Sequence, residues 1–171
     1  MKRKINEPAL HRCGEYLAER GLKLICAESM TAGFLSSTWA LEVCSGDYYL
    51  GSIVCYDDEI KKNLLQVSPQ LLAQHTAESA ETTLALLEGL QKLVTSADVY
   101  LAITGLAFES TNPNQNRPVG KVYYAFCYNG QKKVFDKQFE GNAGSILIQT
   151  CNSIFEDLYT WIKKNNFNHK N

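Results

Sequence analysis

Three short stretches of the 171-residue chain carry groups that could do chemistry. The first, AESMTAG at 27–33, sets the hydroxyls of Ser29 and Thr31 and the glycine Gly33 just after an apolar run, Leu22, Leu24, Ile25, Cys26. The second, TGLAF, sets Thr104 and Gly105 at the end of another apolar run. Hydroxyls and glycines at strand ends suit an anion or a nucleotide, because the backbone can approach a ligand where no Cβ intervenes and the N–H groups of a following helix are free to donate. The same residues serve plainer ends elsewhere, a Ser or Thr capping a helix and a glycine turning the chain. The third, CYDDEIKK, puts Tyr56 at the end of its strand and Lys61 five residues on. A tyrosine and a lysine there can act as acid, base or phosphate contact, since desolvation lowers a lysine's pKa towards neutrality. The alternative is a solvated helix start with aspartates in its first turn.

Other chemistries lack their residues. His11, His75 and His169 have no Glu or Cys at ligand spacing, so no metal site is predicted. There is no G-x-S-x-G elbow, no Walker loop and no G-x-G-x-x-G, and no cofactor is expected. Seventeen basic and eighteen acidic residues leave a formal charge of -1, so no uniform field favours nucleic acid or a membrane surface. Six scattered cysteines without a CxxC pair read as reduced thiols, which points to the cytoplasm. Nowhere do eighteen apolar residues run together, and the start, MKRKINEPALHR, has no apolar stretch after its basic residues. Neither export nor membrane spanning is expected.

The elements that must position these groups follow from periodicity. Residues 7–20 read as a helix closed by Gly21, 22–27 as a short buried strand, and 31–43 as a helix capped by Ser29 or Thr31. A strand is predicted over 48–58, a short helix from Ser68-Pro69 through Gln74, and a long amphipathic helix over 78–96. VYLAITGL, 99–106, reads as a strand, followed by the loop FESTNPNQNRPV at 108–119, long enough to suggest a functional or mobile segment. KVYYAFCY and QKKVFDKQF form a hairpin across Asn129-Gly130. A last helix runs from about Ala143 to Lys164, before a frayed polar tail at 165–171. With 45% hydrophobic residues the chain suits one domain. The alternation predicts an α/β fold, a sheet covered on both faces and holding at least one antiparallel strand. In such sheets ligands bind beyond the carboxyl ends of the strands.

The order AESMTAG, GSIVCYDDEIKKNLLQV, the AES at 77–79 before the long helix, TGLA, RPVGKVY and FEGN resembles the CinA C-terminal domain family over residues 8–162. The resemblance implies a three-layer α/β/α sandwich with a mixed, mostly parallel sheet, assembled as a homodimer or higher homo-oligomer. It also implies hydrolysis of nicotinamide mononucleotide to nicotinate mononucleotide and ammonia, hence a pyridine mononucleotide or other small anion as ligand. Carried onto this chain, it gives Ser29, Thr31, Gly33, Thr104 and Gly105 to ligand binding and Tyr56 and Lys61 to catalysis.

The chain departs from the family pattern at four places. E-S-C-T-G-G is here Glu28, Ser29, Met30, Thr31, Ala32, Gly33. G-S-S, whose second serine the family proposes as nucleophile, is Cys44, Ser45, Gly46. T-G-x-A-G-P-x-G-G is Thr104, Gly105, Leu106, Ala107, then Phe108 onward without glycine. G-D-R is Gly141, Asn142, Ala143, with no arginine for a phosphate. These changes predict weak or absent amidase activity, the alternative being an active amidohydrolase of altered specificity in which Ser45 replaces the lost serine and Lys61 activates it.

Overall fold

Alternate residues of each central strand bury against opposite layers of helices, and this alternation builds the molecule. Leu24 and Cys26 of β1 (Leu24–Glu28), with Leu101 and Ile103 of β3 (Val99–Gly105), face one core. Ile25, Ala27, Tyr100 and Ala102, between them, face the other. The computed structural model describes residues 4–109 and 118–167. Its five strands lie in the order β2-β1-β3-β4-β5, with β2 Tyr49–Val54, β4 Lys121–Tyr128 and β5 Gln131–Gln138. β1 pairs parallel with β2 and β3, and the β3–β4 and β4–β5 pairs are antiparallel, so β4 alone runs against the other four. This is the mixed sheet expected, and β4–β5 is the hairpin expected at Asn129-Gly130, where both residues take the positive φ of a tight turn.

One face is covered by α1 (Glu7–Glu19), α2 (Phe34–Trp39) and α7 (Ala143–Phe167), and the other by α4 (Asp58–Leu65) and α6 (Ala80–Leu93), with α5 (Pro69–His75) beside α6. Caps set the starts: the side chain of Asn6 accepts from Ala9 N, that of Ser68 from Leu71 N and that of Ser79 from Thr82 N. Gly89 lets α6 lie directly on α4, since a Cβ there would meet the Leu65 carbonyl oxygen at 2.0 Å.

Two helices differ from expectation. The helix read over 31–43 is the single turn and a half of α2, then a turn, then the short α3 (Ser45–Tyr48). Gly33, at φ 95, delays the start, and Thr38 bonds its hydroxyl back to Phe34 O near the end. The spacing of Phe34, Leu35, Thr38, Leu41 and Glu42 suggested a longer helix, but Leu41 is 68% exposed. α7 continues to Phe167, into the segment read as a frayed tail, with Asn165 buried. Residues 168–171 of that tail and 110–117 of the long loop lie outside the described residues. Among the described residues no helix is long and apolar enough to cross a membrane.

Candidate functional site

β1 ends at Glu28, whose side chain is fully buried. A carboxylate in that position must find donors, and the turn that follows supplies four. Oε2 accepts from the Thr31 hydroxyl at 2.7 Å and from the N–H groups of Gly33 and Leu35 at 2.9 and 3.1 Å, while Oε1 accepts from Ser36 N at 2.9 Å. Glu28 therefore does the capping expected of Ser29 or Thr31, and α2 has Gly33 as its N-cap without a side-chain bond of its own. The turn passes through Ala32 at φ 48, the left-handed conformation that the family's glycine adopts freely and alanine does not. Sequence reasoning missed Glu28. Its signal was a single acidic residue closing an otherwise apolar strand, directly before a helix start.

Beyond the carboxyl ends of β1, β2 and β3 lies a cleft of about 360 Å³. Ser29, Met30, Tyr56, Lys61 and Gly105 line it on the strand side, and Thr76, Glu78 and Phe108 elsewhere. Lys61 is 1% exposed. Its Nζ donates to Tyr56 O at 2.8 Å and to Asp58 Oδ1 at 3.0 Å, which leaves one of the three ammonium donors for something else. The Ser29 hydroxyl has no hydrogen-bond partner among the described residues and is open to the cleft. Cys55, beneath Lys61 at the end of β2, offers no alternative nucleophile: burial pushes its thiol up to about 11, against the opposing pull of Lys61, so it stays protonated at neutral pH.

Two backbone features tighten this site. Gly105 admits no side chain, since a Cβ would stand 2.5 Å from Met30 Sδ and 2.7 Å from Lys121 O. Thr76 closes α5 at φ 70 and ψ 172, a conformation close to glycine-only, and its hydroxyl is buried without a partner among the described residues. A β-branched residue held there costs about 1–3 kcal/mol, and such strain gathers where a ligand is gripped.

The residues singled out in the sequence are thus divided. Ser29, Tyr56, Lys61 and Gly105 share the cleft. Thr31 and Gly33 lie behind it, bound to Glu28. Thr104 is fully buried with its hydroxyl against Thr83 Oγ1 at 2.8 Å, so it supports the floor instead of meeting a ligand. Ser45 is not among the cleft residues. It opens α3 immediately before β2, whereas Lys61 follows the end of β2, a strand of six residues about 20 Å long. Gly46 is exposed, with open space where a side chain would be. Ala143 starts α7 packed against the core. No group of three His, Cys, Asp or Glu among the described residues is placed to hold a metal.

A mixed sheet between two helical layers, with its cleft at the carboxyl edge, defines the class as a three-layer α/β/α protein. The chain belongs to the CinA C-terminal domain family, whose sequence pattern matches residues 6–162. A putative competence-damage inducible protein of Moorella thermoacetica is 36% identical over 140 residues, 82% of this chain and 33% of that protein. A CinA-like protein of Syntrophomonas wolfei is 32% identical over 92% of this chain and 38% of its own length. The chain thus spans about a third of the curated relatives it matches. The competence damage-inducible protein A of Klebsiella pneumoniae superposes with a TM-score of 0.87 at 25% identity, covering 94% of this chain and 98% of its own.

Proposed function

We propose that the chain binds a small anion, a pyridine mononucleotide or a ligand of like charge and size, in the Lys61 cleft, and hydrolyses the carboxamide of nicotinamide mononucleotide weakly or not at all. One observation carries the binding: Lys61 is a buried ammonium with a donor to spare, beside the free hydroxyl of Ser29. Asp58 already pairs with this cation at 3.0 Å, and an anionic ligand would give its remaining donor a partner. Weak turnover is supported by the nucleophile. Hydrolysis through a serine needs an oxygen, a base within reach and donors for the oxyanion. Gly46 has no oxygen, Ser45 lies at the far end of β2, and Ala143 has no guanidinium for a phosphate.

A second reading, an active amidohydrolase using Ser45 and Lys61, draws support from the edge of the sheet. β2 is an edge strand whose Leu50 and Val54 are exposed, flanked by exposed Leu41, Val43, Ile60 and Leu64. An unpaired apolar edge invites a partner, and a second copy is the simplest one. A two-fold pairing would run the two β2 strands antiparallel, so the start of one would lie beside the end of the other and Ser45 of one copy would approach Lys61 of its mate.

Ammonia release from nicotinamide mononucleotide separates the readings. The first expects slow turnover or none, unchanged by Ser45→Ala. Turnover abolished by Ser45→Ala would overturn it in favour of the second.

A further inference from the structure

One wall of the cleft is a helix that buries almost nothing. No residue of α5 is fully buried, Leu71 and Leu72 only rest half-buried on the core beneath, and the main neighbour of the helix is α6. Leu72, with Thr76, Ala77 and Glu78 just after the helix, lines the cleft opposite Ser29 and Lys61. A helix this short takes its stability from the face it covers, so one that covers little opens at low cost.

The chain on either side is fixed. Upstream, Gln66 turns at φ 56, the N–H groups of Gln66 and Val67 both donate to Lys61 O, and Val67 is buried. Downstream, Ser79 is buried and its carbonyl accepts from Thr83 through both the backbone N–H, at 3.0 Å, and the hydroxyl, at 2.7 Å. Thr76 stands where the loose stretch meets this second anchor. The hydroxyls of Ser79 and Thr82 hold its carbonyl, so α6 pins one side of the residue while α5 continues from the other. Its strained backbone and its unpartnered hydroxyl both count against the conformation that seats α5 on the cleft. With the carbonyl pinned, relaxation of φ has to turn the chain before it, and that chain is α5.

We infer that α5, hinged at Thr76, is a lid on the Lys61 cleft: backbone strain at the hinge loosens its seat in the empty protein, and a ligand lying between Leu72 and Lys61 holds it shut. This rests on the reading of the cleft as a binding site and adds a moving wall to it. A lid of this kind excludes water from what is bound and ties release to the opening of the helix.

Hydrogen–deuterium exchange of the full chain tests this, with α6 as the internal reference and the amides of Leu72 and Thr76, which donate to Ser68 O and Leu72 O, reporting the lid. In the free wild type α5 should exchange at least about tenfold faster than α6. Thr76→Gly removes the strain and should slow α5 about threefold or more, the relief exceeding the entropy a glycine adds to the open state. Thr76→Ala removes the hydroxyl and keeps the strain, so α5 should stay as fast as in the wild type. Nicotinamide mononucleotide at saturation should slow α5 and leave α6 unchanged. Exchange of α5 as slow as that of α6 in the free chain, or unchanged by Thr76→Gly, would overturn the hinged lid whether or not a ligand binds. A mononucleotide that binds, by its broadened proton resonances, without slowing α5 would overturn closure and leave the Lys61 reading standing. A mononucleotide that does not bind would overturn the Lys61 reading, and the free-chain comparison of wild type with Thr76→Gly decides the hinge without it.

Discussion

Glu28→Gln keeps the length of the side chain and turns one acceptor into a donor facing backbone N–H groups. Three of the four donors converge on Oε2, so the amide oxygen would settle there and its NH₂ would meet Ser36 N. A buried donor left unmatched costs about 1–3 kcal/mol, and the urea midpoint of this variant should fall accordingly. Ala32→Gly works the other way. At φ 48 a glycine relieves the strain of the left-handed turn, and after its larger loss of chain entropy the net gain should be about 0.5–1 kcal/mol in the same titration. The residues at and behind the cleft divide by how visible their placement is in sequence. Ser29, Tyr56 and Lys61 were legible because hydroxyl, phenol and amine lie just after strand ends. Glu28 was not, because a carboxylate's role as a cap depends on its being buried, which neighbouring residues in sequence do not reveal. Thr104 was misleading, for its hydroxyl has a second reader in Thr83, twenty-one residues away.

At the scale of elements, His11 on α1 clasps the segment between α2 and α3. Its Nδ1 lies 2.9 Å from the buried carboxylate of Glu42 and its Nε2 3.0 Å from Glu15. The hydrogen bond to Glu42 raises its pKa above the ordinary value, against a smaller loss from burial. With the folded-state pKa above that of the unfolded chain, the clasp stabilises fully below about pH 6.5 and its contribution disappears as pH rises through the folded value. Urea midpoints of wild type and His11→Gln should differ most at acidic pH and converge at alkaline pH. The α4–α6 contact gives a sharper test. Gly89→Ala drives a Cβ into the Leu65 carbonyl, and overpacking of this kind should cost about 1–3 kcal/mol. The strands, the hairpin and α6 were legible because their periods and turn residues agree with their burial. The helix read over 31–43 was not, because Leu41 continues the helical spacing of Phe34 and Thr38 while facing solvent, and apolar spacing alone cannot say which side is covered.

Across the whole molecule, the mixed sheet and a cleft at its carboxyl edge followed from the alternation of elements and the resemblance, while the strand order and the separation of Ser45 from Lys61 did not. These two residues are sixteen positions apart in sequence yet at opposite ends of one strand. Any joint action therefore requires two copies, and charge placed on the β2 edge should separate them. Leu50→Lys with Val54→Lys, which would set like charges against each other across the two-fold, is expected to sediment as a monomer, and the wild type is expected to sediment as a dimer or larger.

The central claim is a cleft that holds a mononucleotide but lacks the serine that the family pattern sets at the position of Gly46. Proton NMR of nicotinamide mononucleotide mixed with a stoichiometric amount of the protein reads both halves at once. The account predicts broadened or shifted pyridine resonances and a carboxamide that persists. Conversion to the nicotinate form, or resonances as sharp as in buffer alone, would contradict it.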